Sequence, residues 1–227
     1  MPPLHAEQFT WLTQRSQDRQ ITMDARNKIR NTEVLEILQS ISLPEQEVRA
    51  NVRPDNQPKI VSIALGLVHD YATGPALSRS AQEWPMLTKL LTAYFRQRHG
   101  QFRFTTIQLN KSFASQLHVD TRNEGPSWII ALGDFSGGQL FVADGNGDDY
   151  VRVTRPVTGR PDIVVGSFLR GRKVNIRHRW FFFDGNVPHM TTPYRGERYS
   201  LVFYRFGFRS RIPERIEVAL KSLGFHP

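Results

Sequence analysis

Three side chains able to hold a divalent metal stand in a usable order: His118, Asp120 and His189. In an extended chain, residues two apart point the same way. His118 and Asp120 of LHVD therefore approach one ion from one side, while Val119 turns into packing. His189, in NVPHMT, follows Asp120 by 69 residues and opens another β-type run. Two imidazoles and one carboxylate make a facial donor set that leaves three positions open on Fe(II). Nine residues beyond His189 comes Arg198, heading the run RYSLVFYRF. There Arg198, Ser200, Val202 and Tyr204 share a face. An arginine and a serine side by side grip a carboxylate, the guanidinium bidentately and the hydroxyl with a third hydrogen bond. Without an anion, a buried Arg198 would be an uncompensated charge, and Glu197 points to the other face.

Each residue alone has a plainer reading. His118 could be a satisfied core histidine, Asp120 a cap on the turn before TRNEGP, and Arg198 the partner of a surface acid. What carries the reading is their joint order on β-type segments. His178, in RHRW, is the rival distal ligand, but no arginine follows it at a matching offset. His5, His69, His99 and His226 lie outside the β-rich part of the chain. There is no P-loop, no G-x-S-x-G elbow and no H-E-x-x-H. Asp144, Asn146 and Asp148 begin like a calcium loop. Asp149 then stands where that loop needs glycine, and Arg155 where it needs a bidentate glutamate, so DGNGDD reads as a hairpin turn.

The elements that must position these groups fall into two textures. Up to about residue 100 the chain reads as helical. TEVLEILQSISL (32–43) puts Val34, Leu35, Leu38 and Ile41 on one face and stops at Pro44. A second helix is expected over 81–99, striped by Leu87, Leu90, Leu91, Tyr94 and Phe95 and closed by Gly100. Between them RPDNQP is a linker, and KIVSIALGLVHD is either a buried strand or a short helix. From Phe102 onward, seven or eight short β-type runs alternate with turn signals and have no helices between them. They include FRFTTIQL, SWIIAL, QLFVA, YVRV, VNI, RWFFF and RYSLVFYRF. Such a pattern predicts an antiparallel sandwich or jelly roll. PERIEVALKSLGF (213–225) reads as a last helix.

Composition narrows the class. At 227 residues with 39% hydrophobic and 22% charged residues, the chain can bury a core unaided. It has no cysteine, which excludes disulfides, thiolate zinc sites, iron–sulfur clusters and cysteine nucleophiles. The first 18 residues lack the apolar core of a signal peptide, and no apolar run reaches the roughly 18 residues needed to cross a bilayer. An intracellular protein, nuclear or cytoplasmic and not secreted, is expected. The net charge is +9, with 15 basic against 5 acidic residues over 150–221. Clustering of this kind is the footprint of a polyanion binder or simply a basic surface. In FLRGRKVNIRHRW (168–180), read as a loop or basic hairpin near the barrel rim, Arg172, Lys173 and Arg177 suit phosphates.

The stretches LHVDTRNEGPSWIIALGDFSGGQLFV (117–142) and WFFFDGNVPHMTTPYRGERYSLVFYRF (180–206) resemble the Fe(II)/2-oxoglutarate-dependent dioxygenases. Within that superfamily they are most similar to the TET/JBP-type nucleic-acid-base oxygenases and their algal and protist relatives. The subfamily likeness rests on H-x-D-x-x-N followed by glycine, on GDFSGG and on FDG-x-x-PH, and covers about 100 residues. The resemblance implies an α+β fold with a double-stranded β-helix (jelly-roll) core at 101–210. Residues 1–100 would form a mostly helical annex and 211–227 a short C-terminal helix, all in one dioxygenase domain. It implies Fe(II) on His118, Asp120 and His189, and 2-oxoglutarate held by Arg198 and Ser200. The reaction would oxidise a methylated base of the 5-methylcytosine or thymine type in DNA or RNA, releasing succinate and CO2. A base target would have to be flipped out of its stack. Asn123 falls where such enzymes read the base, or forms an Asx turn in TRNEGP, and Asn110 is a candidate neighbour of the cosubstrate. The extra DNA-reading modules of animal and kinetoplastid relatives are missing from these 227 residues. Two other readings stay open: a prolyl, lysyl or small-molecule hydroxylase, and a non-catalytic cupin-like binding module.

Overall fold

A computed structural model describes residues 28–208 and 211–227. The N-terminal stretch examined for a signal peptide, with His5, lies outside them. The first helix of the described residues, α1 (Asn31–Ser40), buries Val34, Ile37 and Leu38. The Glu33 carboxylate reaches back to the Arg30 backbone N–H at 2.8 Å, half of a capping box. The helix ends before Pro44 because Ile41 is already extended and turns its side chain into the core.

The ambiguous run 59–70 is a strand, β1 (Val61–Asp70), paired with β2 (Gly74–Leu77) on one side. On its other side it pairs with β3 (Thr106–Lys111). The helix expected over 81–99 is two, α2 (Arg79–Glu83) and α3 (Pro85–His99). Pro85 disfavours helical geometry at the residue before it, and Trp84 accordingly breaks away at φ −123°, ψ 54°. Gly100 ends α3 in right-handed rather than left-handed geometry.

The remaining strands are β4 (Ser127–Leu132), β5 (Phe135–Gly137), β6 (Leu140–Ala143), β7 (Asp149–Arg152), β8 (Phe168–Val174), β9 (Phe181–Phe183), β10 (His189–Thr191), β11 (Tyr194–Gly196) and β12 (Tyr199–Tyr204). Helix α4 (Glu214–Ser222) closes the described chain. Among the described residues, six strands form a large sheet in the order β2-β1-β3-β12-β4-β9, four form a smaller one, β10-β6-β8-β7, and β11 pairs with β5. The chain moves from β4 in the large sheet to β6 and β8 in the small one. It returns through β9, crosses to β10 and finishes in β12, and this winding is that of a jelly roll within an α+β fold.

Alternation along β12 decides what faces what. Leu201 and Phe203 point outward and pack with Phe95 and Leu91 of α3 and with Val34 and Leu38 of α1, Phe95 stacking on Phe203 at 4.2 Å between ring centres. Ser200, Val202 and Tyr204 point inward and line a cleft. Deeper between the sheets, Ile129 and Ala131 of the large sheet pack against Leu140 of the small one.

Two expectations about loops change. The basic segment 168–180 is no loop: its first seven residues are strand β8, while VNI contributes only Val174 to a strand. Nor does DGNGDD form a hairpin turn, because β6 and β7 do not pair. Both pair with β8, Ala143 and Asp149 flanking Gly171 from its two sides. The loop crosses over β8 at Gly171, and a Cβ on Gly147 would lie 2.0 Å from the Gly171 carbonyl oxygen. Glycine is needed there for close approach of two backbones, which sequence cannot tell from a need for a tight turn.

Candidate active site

His118 and His189 form an isolated antiparallel bridge. Each backbone N–H donates to the other's carbonyl, at 3.0 and 2.9 Å, and this brings the rings to 4.2 Å between centres. The His118 segment is extended but belongs to no ladder, and the two-residue alternation expected of a strand holds all the same. Nδ1 of His118 lies 2.7 Å from the Gln116 carbonyl, and Nδ1 of His189 lies 2.9 Å from that of Val187. A carbonyl can only accept, so Nδ1 carries the proton in both rings and Nε2 presents its lone pair.

The Asp120 carboxylate meets both Nε2 atoms, Oδ1 at 3.6 Å from His118 and Oδ2 at 3.7 Å from His189. The three donor atoms all lie within 4.8 Å of one another. The Asp120 backbone N–H donates to Gly185 at 2.8 Å. A side chain at Gly185 would come within 2.8 Å of the Asn123 amide and 3.3 Å of Asp120 Oδ2, so the glycine of FDG keeps space beside the carboxylate. Burial, reinforced by the neighbouring His189 and Arg49, pushes the His118 imidazole down to about 3, which leaves it neutral. Burial also works to raise the Asp120 carboxyl. The facing imidazoles, Arg49 and the Asn123 amide outweigh it and hold the group below its ordinary value. Neutral imidazoles and an ionised carboxylate are the states a metal requires of its ligands. His178 is not part of this group; its backbone N–H bonds to Ala131 on the large sheet.

Arg198 is 2% exposed. Its guanidinium lies near the faces of Phe135 and Tyr194, at 5.5 and 5.7 Å from the ring centres, and neither Nε nor NH2 has a hydrogen-bond partner among the described residues. Burial lowers it to about 10, the Tyr194 hydroxyl acting the other way. Glu197 is occupied elsewhere, by Lys111 at 3.2 Å and Gln39 at 2.9 Å. Arg198 stands two positions before Ser200, just beyond the residues that line the cleft. The Ser200 hydroxyl accepts from the Asn110 amide at 3.2 Å, and Asn110 accepts from Ser62 at 2.8 Å. A buried cation with orphaned donors fits a carboxylate ligand. Two imidazoles and a carboxylate fit iron. The site thus suits iron(II) and 2-oxoglutarate.

The groups assigned to substrate are placed differently. Asn123 Nδ2 donates to Asp120 Oδ2 at 3.3 Å and to Ser127 at 3.2 Å, so its amide is engaged with the carboxylate. Arg172 pairs with Asp144, Lys173 with Asp149 at 3.2 Å and Arg177 with Asp134 at 3.0 Å. None of these three lines the cleft, and each meets an acid supplied by a turn or strand end beside it. The cationic run seen in sequence is thus partly neutralised on folding.

Sequence reasoning missed Arg49, Gln108, Phe113 and Ser115, which line the cleft with Tyr204. Burial raises the Tyr204 hydroxyl, and the Asp120 charge adds to the shift. Gln108 sits two residues before Asn110 on β3, so the alternation that singles out Asn110 also predicts it. Arg49 gives no such signal.

No family model matches this chain, and no curated protein sequence does either. Solved structures do. A 2OG-Fe(II) oxygenase family oxidoreductase from Burkholderia pseudomallei aligns with a TM-score of 0.50 at 18% identity, over 78% of this chain and 80% of that one. A Pseudomonas putida prolyl-4-hydroxylase aligns at 0.37 and 16% identity, over 78% and 84% of the two chains. A Trichoplax adhaerens prolyl hydroxylase, solved with a hypoxia inducible factor peptide fragment, aligns at 0.35 and 15%, over 87% and 93%. At such identities the first likeness establishes a shared fold, that of the 2OG-Fe(II) oxygenases.

Proposed function

We propose that this chain is an Fe(II)- and 2-oxoglutarate-dependent dioxygenase that hydroxylates an amino-acid side chain or a small molecule. The observation that carries the chemistry is the pairing of a His118–Asp120–His189 donor cluster with a buried Arg198 that has no acid of its own among the described residues. In this reading the three donors hold iron(II), while Arg198 and Ser200 hold the distal carboxylate of 2-oxoglutarate. Bound together, these groups would supply the reduction of dioxygen, with two electrons from decarboxylation and two from a substrate C–H bond. One oxygen atom would go to succinate and one to the new hydroxyl. The protein's own residues do the rest. The Gln116 and Val187 carbonyls fix both imidazole tautomers, Asn123 holds one carboxylate oxygen of Asp120, and the inward face of β12 shields the cleft floor. A cupin-like module without turnover has no use for Arg198, because a buried cation with no ligand only costs stability.

The choice of substrate class is supported by the acids that pair with Arg172, Lys173 and Arg177, which partly neutralise the basic segment. A second reading, oxidation of a base in nucleic acid, keeps one observation. Exposed Tyr150 and Phe168 alternate with Arg152 and Arg170 across β7 and β8, a pattern suited to stacking on bases. Its partners would be DNA or RNA.

Anaerobic titration with Fe(II) and 2-oxoglutarate, followed by admission of oxygen and assay of succinate, tests the chemistry. His189→Ala should lose iron binding and succinate together, and His178→Ala should retain both. The reverse pattern would overturn the ligand assignment. A substrate affinity that falls steeply between 50 and 300 mM salt, as counterion release requires, would restore the nucleic-acid reading.

A further inference from the structure

Arg49 belongs to the N-terminal annex yet lines the cleft, with NH2 3.7 Å from Asp120 Oδ1 and its side chain 28% exposed. It is presented on a built loop. Gln46 and Ile60 bridge through two backbone hydrogen bonds of 2.9 and 3.0 Å. Val52 is fully buried against Ile60 and Phe113, and its carbonyl accepts from Gln116 N–H at 2.8 Å, two residues before His118. Arg155 ties the loop from the far side, donating to the Asn51 and Arg53 carbonyls at 2.7 and 3.2 Å. Arg49 itself adopts φ 52°, a left-handed conformation unusual for a side chain of its size. Its carbonyl accepts from Val52 and Arg53 at 2.9 and 3.0 Å. Strain held this firmly beside a reactive site is a mark of function.

The acid nearest Arg49 is a metal-ligand candidate. Once iron takes up the charge of Asp120, the guanidinium faces a dication without a counter-ion. The whole cleft then carries excess positive charge. Iron(II) and two arginines are met by one aspartate and a doubly charged cosubstrate, and imidazoles ligate a metal as neutral groups, so one positive charge remains. Polar Gln108, Asn123 and Tyr204 line the same cleft and offer no anion.

We infer that Arg49 anchors the substrate, and that the substrate presents an oxyanion, a carboxylate or a phosphate, beside the metal site. This rests on the dioxygenase reading. Guanidinium forks take either oxyanion bidentately, so the test has two arms. Wild type, Arg49→Lys and Arg49→Gln, each loaded with Fe(II) and 2-oxoglutarate under nitrogen, are titrated calorimetrically. One arm uses amino acids and short aliphatic carboxylates, the other inorganic phosphate and nucleoside monophosphates, and each ligand has a neutral amide or nucleoside control. The expected result is that one arm binds wild type and its neutral controls do not. Arg49→Gln should lose at least about tenfold in that affinity, with Arg49→Lys between. Iron should bind Arg49→Gln at least as tightly as wild type, since a competing cation has gone. Anion binding unchanged in Arg49→Gln, no anion binding in either arm, or weakened iron binding in the variant would each overturn the inference. A wild type that takes up neither iron nor 2-oxoglutarate would instead overturn the dioxygenase reading beneath it.

Discussion

Replacing Arg198 by methionine should make the ligand-free protein more stable, an unusual outcome for a residue in a functional site. Burial lowers the guanidinium from its ordinary value to about 10. At about 1.4 kcal/mol per unit, the folded state bears roughly 3 kcal/mol for keeping that charge out of water. Contacts with Phe135 and Tyr194 return part of this, about 0.5–1 kcal/mol each. Methionine fills a similar volume without charge and forfeits those contacts, leaving a net gain of about 1–2 kcal/mol. For a chain of this length that is a rise in Tm of roughly 2–8 °C. Thermal unfolding with and without 2-oxoglutarate, at fixed iron, checks both halves. Wild type should gain stability from the cosubstrate by mass action, and Arg198→Met should start higher and gain nothing. A variant that melts below wild type without cosubstrate, or still responds to it, would refute the claim that Arg198 is a buried charge awaiting a carboxylate.

Asn123→Ala should weaken iron binding by about tenfold, as expected when a group orienting a metal ligand is removed; unchanged affinity in a chelator competition would return Asn123 to a substrate-reading role. The metal-free protein should lose stability as pH falls from about 6.5 toward 3. His118 takes up its proton near 6.5 when unfolded but only near 3 in the fold, so the unfolded state binds more protons throughout that window. Melting curves of His118→Asn should show a flatter acid limb. Gly147→Ala should cost about 1–3 kcal/mol, because its Cβ meets the Gly171 backbone. Gly145→Ala, with nothing within 4 Å, should melt like wild type.

The donor cluster was legible because two-residue alternation needs only an extended chain, and that held at His118 even without a strand ladder. The order Arg198–Ser200 was legible for the same reason: Ser200 lies on the inward face of β12 and Arg198 stands just before that strand. Where pattern gave two answers, the partner decided. VSIALGLVHD is apolar almost throughout, and only a place between β2 and β3 makes it a strand. Charge is harder to read from sequence for a related reason. A count over 150–221 sees Arg172, Lys173 and Arg177 but not the acids that folding brings to them. Asp149 enters β7 two strands away from β6, and Asp134 lies 43 residues from Arg177, so no local window pairs them.

Arg49 marks the limit of local reading. Nothing in LPEQEVRANVRPD distinguishes it from any solvated arginine, and its place depends on contacts made far along the chain. Val52 must bury against Phe113, Gln116 must bond to the Val52 carbonyl, and Arg155 must clamp the loop from the other side. The segment that delivers Arg49 thus bonds to the segment that delivers His118, two residues from the ligand itself. Two cations reach the cleft by opposite routes. Arg198 comes from the strand framework and lies buried without an acid, while Arg49 comes from the annex and leans on an aspartate that a metal would claim. That asymmetry gives the annex a chemical role beyond covering the large sheet: it supplies the cleft's second site for an anion.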